Sequence, residues 1–218
     1  SGGTPHAIFN GTQTLVSLLK KQTIPAKLEN IAINDYPDLL YRGMMLDIAR
    51  NFTKKADLLK LINQLAAYKI NVLHFHFSDD EAWRLEIPGL EELTAIGSRR
   101  GFTEDESQCL YPVYYGGWNP NGYYTREDFI EVLQYAAKRH ITVIPEIESP
   151  GHARAAIKAM EARFNRLKGE DMEKAREYLL SESADTSKYV SAQAYTDNIM
   201  NVALPSVYRF MDKVSDEI

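Results

Sequence analysis

Apolar positions along this chain alternate between short continuous runs and a spacing of three to four residues. Tyr41 to Ile48, Ile70 to Phe77 and Ile141 to Ile147 are nearly continuous apolar runs rich in β-compatible residues, and they predict strands. Between the first two, Thr53 is placed to cap a helix whose Leu58, Ile62, Leu65 and Ala66 share one face. A helix joining two strands implies a parallel pair with a right-handed crossover. Thr125, with Asp128 three residues on, opens another helix with the apolar stripe Phe129, Val132, Leu133 and Ala136. The turn Ser149-Pro150-Gly151 leads into an Ala-rich helix from Ala153 to about Leu167, and a polar helical stretch is expected from Glu170 to Leu180. Gln193 to Glu217 reads as a helix interrupted at Pro205, because an interior proline removes a backbone donor. Near the start, Leu15, Leu18 and Leu19 predict a short helix over Thr14 to Lys20. The turn cluster Asn34-Asp35-Tyr36-Pro37-Asp38 marks a boundary between residues 1–36 and 37–218.

Repeated βα units make this an α/β fold, and a closed eight-stranded barrel needs about 250 residues. The pattern over residues 37–218 therefore predicts a partial (β/α)8 TIM barrel, its first three or four βα units. The long polar stretch Ser78 to Tyr124 reads as a βα loop on the functional face.

The 218 residues are 44% hydrophobic with a formal net charge of -5 and no Lys/Arg run, so a nucleic-acid or anionic-membrane partner is not expected and a neutral small molecule or glycan fits better. No apolar stretch reaches the roughly 18 residues of a membrane span, and Ser1-Gly2-Gly3 lacks the pattern of a signal peptide. Cys109 stands alone, which rules out an intrachain disulfide and leaves a surface-loop thiol as the expectation.

The chemistry-bearing residues gather at strand ends. His74, His76 and Ser78 point to one side of the second strand, and Asp79 and Asp80 lie just past its end, where barrel enzymes keep their working groups. The third strand ends in Glu146, Ile147, Glu148 and, after a tight turn, His152. The first strand adds Arg42 near its start and Asp47 and Arg50 near its end.

Three ordered segments, Tyr41 to Arg50, Lys69 to Arg84 and Ile144 to Ala153, resemble successive barrel motifs of the family 20 glycoside hydrolases, the β-N-acetylhexosaminidases. Ile8 to Leu15 resembles the end of the small α/β domain that precedes the barrel in that family, which would make residues 1–36 its tail. The resemblance implies retaining, substrate-assisted release of a terminal β-linked N-acetylglucosamine or N-acetylgalactosamine from a glycan or glycoconjugate, with no cofactor and no metal. It implies that Arg42 binds sugar hydroxyls and that Asp79 or Asp80 pairs with His152 to support the catalytic acid, the choice of aspartate staying open. Glu148 stands where the family often has aspartate. The family's catalytic Asp-Glu pair, normally after two glycines, is absent from the 218 residues, so this chain is expected to be inactive alone. Asp216-Glu217 is adjacent too, but Phe210, Met211 and Val214 make it the solvated face of a helix. Family resemblance favours a periplasmic, extracellular or lysosomal-type compartment.

Two other function classes compete. A non-catalytic glycan-binding module would use Arg42 and the aromatic residues, and a metal-dependent barrel hydrolase would use His74 and His76 with Asp79 or Glu146. Trp83, next to a strand, is expected in the core, whereas Trp118, Tyr114, Tyr115, Tyr123 and Tyr124 fit a sugar-stacking surface and a loop core equally well. Arg42 could pair instead with Asp47 or with a carboxylate on an adjacent strand. The unclosed barrel predicts self-association through exposed strand edges.

Overall fold

The computed structural model describes residues 2–19, 30–99, 121–182 and 184–218. Three strands, β1 (Gly43–Asp47), β2 (Val72–His76) and β3 (Thr142–Glu146), form a sheet in the order β1-β2-β3. They run parallel. Arg42 O accepts from Val72 N and His76 O accepts from Ile48 N, so both chains advance together, and the same holds where Asn71 O accepts from Thr142 N and Glu146 O from Phe77 N. The central strand is buried on both faces, as parallel strands under helices are, while Met44, Met45 and Ile144 on the outer strands are exposed.

The chain divides into two compact units, and each strand passes from one into the other. The first unit comprises Ser1–Leu46, Lys55–His74 and Ile130–Ile144. Its first helix, α1, runs over Pro5–Leu19 and therefore begins well before the expected Thr14. The reason is a start signal outside the periodic stretch: Thr4 Oγ1 accepts from Ala7 N at 3.1 Å, and Pro5 fills the first helical position, where no N–H is needed. None of its residues is buried, but His6 stacks on His140 with ring centroids 5.0 Å apart. Helix α2 (Lys55–Ala67) buries Leu58, Ile62, Leu65 and Ala66, the predicted face.

The second unit comprises Asp47–Lys54, Phe75–Phe129 and Pro145–Ile218. It contains the short helix α3 (Glu92–Ala95), the start of α4 (Arg126–Ala137), and helices α5 (Arg154–Leu167), α6 (Met172–Arg176) and α7 (Pro205–Glu217). Helix α4 opens with the predicted reciprocal box, Thr125 Oγ1 accepting from Asp128 N at 3.1 Å and Asp128 Oδ2 accepting from Thr125 N at 3.2 Å, an arrangement worth about 1 kcal/mol.

The stretch Ser78 to Tyr124 does join β2 to α4, and over its described part it packs inward, with Trp83, Leu85, Ile87, Leu90, Leu93 and Tyr124 buried and Leu85 bridging to Tyr124. Two sequence expectations fail in this unit. The helix expected from Glu170 to Leu180 is one turn, Met172–Arg176, started by the side chain of Asp171. The helix expected from Gln193 starts only at Pro205: the proline opens it at N1 instead of interrupting it, and the segment before it is irregular. Trp83 is fully buried against Phe210, as expected of a core residue, and Tyr124 joins Phe75, Phe77 and Phe129 in an aromatic core, whereas Tyr123 is exposed. Cys109, Tyr114, Tyr115 and Trp118 lie outside the described residues.

Candidate functional site

The C-terminal ends of all three strands belong to the second unit, and their acidic and basic side chains form one network there. Just past β1 the chain turns so that Asp47 Oδ1 accepts from Arg50 N at 3.1 Å, which returns the Arg50 guanidinium toward the strand ends. Arg50 then donates from Nη1 to Asp47 Oδ2 at 3.0 Å, from Nε to Glu81 Oε2 at 3.0 Å and from Nη2 to Asp79 Oδ2 at 2.7 Å. A single planar guanidinium thus joins carboxylates on two successive strand exits, a use for which its fork geometry suits it.

His76, the last residue of β2, is buried with Nε2 2.9 Å from Asp79 Oδ2 and Nδ1 2.8 Å from Glu146 Oε2 at the end of β3. His74, two residues earlier, is half-buried. Burial alone would depress the His76 pKa, but the contacts with Asp79 and Glu146 outweigh it and raise the pKa to about 9. Burial likewise pushes Asp79 up, yet the hydrogen bonds from His76 and from Asp80 N, with the charge of Arg50, bring its pKa below the usual carboxylate range.

The aspartate left open by the sequence is settled by distance: His152 Nδ1 lies 3.1 Å from Asp79 Oδ1 and 3.8 Å from Asp80 Oδ2. His152 is raised in pKa, because the hydrogen bond to Asp79 overcomes the cost of burial, and its side chain stays 41% exposed. Its backbone φ is +53°, a left-handed conformation directly after Gly151 that presents the ring toward Asp79. The turn is held from behind, since Asn198 O accepts from Ala153 N at 3.0 Å and Pro150 O accepts from Met200 N at 2.8 Å. Asp80 does different work. Its Oδ1 accepts from Arg154 N at 3.3 Å and its Oδ2 from Asn198 Nδ2 at 2.9 Å, so it anchors the start of α5 to the segment before α7. Burial raises its pKa despite these two donors.

Glu148 N–H donates to Ser78 Oγ at 2.9 Å, and the Glu148 carboxylate is 3.9 Å from His76 Nδ1. Burial, then the charge of Asp79, raises its pKa. Arg42 belongs to the first unit, where Nε donates to Lys69 O at 2.7 Å and Nη1 to Leu39 O at 2.6 Å. Asp47, the alternative partner weighed for Arg42, is taken by Arg50. Asp216 is exposed on α7 and Glu217 pairs with Lys213 at 2.6 Å, while Phe210 and Val214 are buried, the solvated-face reading. The sequence reading missed Asn198; its irregular segment carries no periodic signal.

Two triplets, His76 with Glu146 and Glu148 and Asp79 with Asp80 and His152, bring metal-type donor atoms within 4.8 Å of one another. In both, a cation is already present: the Arg50 guanidinium is 3.2 Å from His76 Nε2 and 2.7 Å from Asp79. The oxygens of Asp80 are engaged by N–H donors as well. This donor set fits a hydrogen-bonded acid and imidazole relay better than a divalent ion.

Residues 39–218 match the catalytic domain of glycosyl hydrolase family 20. A β-hexosaminidase of Vibrio vulnificus is 47% identical over 217 residues, which cover 96% of this chain and 25% of that protein. Among solved structures, a family 20 exo-β-N-acetylglucosaminidase from Vibrio harveyi in complex with N-acetylglucosamine superposes with a TM-score of 0.77 at 41% identity, covering 96% of this chain and 30% of that one. A Streptomyces plicatus N-acetyl-β-hexosaminidase gives a TM-score of 0.67 at 29% identity, over 95% of this chain and 37% of that one. The match is thus nearly complete for this chain and partial for each relative, and the strand-end network lies within the matched residues. The chain belongs to glycosyl hydrolase family 20 and carries part of the barrel fold of that family.

Proposed function

We propose that this chain supplies the N-terminal part of the catalytic barrel of an exo-β-N-acetylhexosaminidase, with residues 37–218 in the barrel and residues 1–36 as the tail of a preceding small α/β domain. The observation that carries this reading is the Asp79–His152 hydrogen bond at the ends of β2 and β3, in a chain whose relatives are β-hexosaminidases. In this reading the substrate acetamido group is the internal nucleophile, and an Asp-Glu pair outside residues 1–218 orients that group and protonates the leaving oxygen. Asp79 and His152 hold the acid in place, Glu148 is a further acidic member of the same supporting network, and Asp80 fixes the His152 turn through Asn198. Arg42, expected from the resemblance to bind sugar hydroxyls, is not part of this site: it precedes the N-terminal end of β1, and its guanidinium donates to the Leu39 and Lys69 carbonyls. The test is release of an aryl leaving group from an aryl N-acetyl-β-glucosaminide by this chain, with and without a separately produced remainder of the barrel. No release alone and release on mixing is the expected outcome, while turnover by the chain alone would move the acid into residues 1–218.

Among the described residues β1 and β3 each pair with a strand on one side only, with exposed Met44, Met45 and Ile144 on them. Such edges pair readily with other chains. The isolated chain is therefore expected to self-associate at micromolar concentration in light-scattering chromatography, and a sharp monomer peak at every concentration would contradict it.

A further inference from the structure

His76 is buried beside Asp79, on the carboxylate oxygen that His152 does not take. Its surroundings are asymmetric in charge. From its own strand exit it meets Asp79 at 2.9 Å, from β3 it meets Glu146 at 2.8 Å and Glu148 at 3.9 Å, and from β1 it meets Arg50 at 3.2 Å, beyond which lie Asp47 and Glu81. Nε2 is thus hydrogen-bonded to Asp79 Oδ2, while Nδ1 lies in a close charge contact with Glu146 Oε2 whose direction is not that of a hydrogen bond. A neutral imidazole has only one N–H, so one carboxylate oxygen would lie within 3 Å of a nitrogen lone pair, whereas an imidazolium sets a positive charge against both carboxylates. Asp79 in turn has its two oxygens divided: Oδ2 takes His76 and Arg50, and Oδ1 takes Asp80 N at 2.7 Å and His152 at 3.1 Å.

We propose that His76 is a positioning residue of this site: an imidazolium at neutral pH that holds Asp79 Oδ2 by a hydrogen bond and Glu146 by charge, turns Asp79 Oδ1 toward His152, and sets the proton affinity of His152 through the shared carboxylate. This rests on reading Asp79 and His152 as the support of the acid, and it assigns to the buried His76 a role that differs from core packing and from metal ligation. The raised pKa of His76 agrees with the geometry. Because the clamp withdraws electron density from Asp79, removing its charge leaves a more negative field at His152, and the sign of the effect is upward.

Long-range 15N–1H correlation spectra of the full 218-residue chain labelled at histidine read this directly. His76 is expected to show two protonated ring nitrogens at pH 7.5 and to lose one only toward pH 9, needing no variant. In His76→Gln, which keeps one neutral donor, the His152 titration midpoint is expected to rise by about one pH unit, about tenfold in proton affinity, the order expected for removing a charge across a shared carboxylate. His6 and His140 serve as internal controls for folding. A neutral, single-tautomer His76 at pH 7.5 overturns the proposal, as does an unmoved His152 midpoint in a folded His76→Gln chain. Neither readout involves glycoside turnover, so failure of the mixing assay with these spectra as expected would fault the functional reading and leave the clamp standing.

Discussion

Replacing Arg84 by alanine is expected to cost about 4 to 6 kcal/mol and leave the chain without a cooperative melt. The side chain is fully buried, and its guanidinium donates to Ile48 O, Ala49 O and Ser98 O at 2.8 Å each and to Gly122 O at 3.0 Å. It thereby pins the chain leaving β1, the chain leaving α3 and the chain entering α4 to one planar group, and it stacks over the Phe52 ring at 5.7 Å. Each carbonyl deprived of its donor costs about 1 kcal/mol or more, and the emptied volume adds a cavity cost. Those losses approach the whole stability of a typical domain, about 5 to 15 kcal/mol. Arg84→Lys keeps the charge but has a single nitrogen that cannot serve four carbonyls in one plane, so about 3 kcal/mol should still be lost. Urea titrations followed by circular dichroism measure both. A lysine variant within 1 kcal/mol of the parent would show that charge, and not the fork, is what the site needs.

Arg84 also marks the limit of what the sequence reveals. It stands inside a segment that resembles a family motif, yet fully buried arginines are rare, and nothing in its spacing separates a core guanidinium from a solvated one. The composition of Ser78 to Tyr124 shows a polar stretch between β2 and α4, but not that Arg84 within it is satisfied by buried backbone carbonyls. Where burial follows period, the reading works. Leu58, Ile62, Leu65 and Ala66 line the buried face of α2, and the Thr125 and Asp128 box sits at the start of α4, because both signals are local. Helix starts set by proline were the harder case. Pro5 and Pro205 each begin a helix, and a proline is a breaker or a starter depending only on which side of it the packing lies. For the site, strand-end placement brought Asp79, Asp80, Glu148 and His152 forward as candidates, and the resemblance gave them roles. The choice of Asp79 over Asp80 needed the left-handed turn at His152, and Asn198 needed a long-range contact that no pattern encodes.

The second large effect is expected at Asp79. Asp79→Asn keeps the shape but removes the charge shared by Arg50, His76 and His152, leaving the buried His76 and the half-buried Arg50 short of a counter-charge, and about 3 kcal/mol of stability should go with it near neutral pH. The pH dependence fixes the sign. Because the folded-state pKa of Asp79 is lowered, its contribution is fully present above the ordinary carboxylate value of about 4 and is lost as pH falls through the lowered folded value. The gap between parent and variant should therefore close on acidification, with the parent losing stability there and the variant, at this position, having nothing left to protonate. Turnover after mixing with the remainder of the barrel should fall at least about 100-fold, since an amide can donate toward the lone pair of His152 and so hold the wrong tautomer. A variant as stable as the parent at pH 7 would mean that Arg50 and His76 are balanced by Asp47, Glu81 and Glu146 alone. A stable variant that also kept full turnover on mixing would remove Asp79 from the support of the acid, and with it the geometric basis for placing the site at these strand ends.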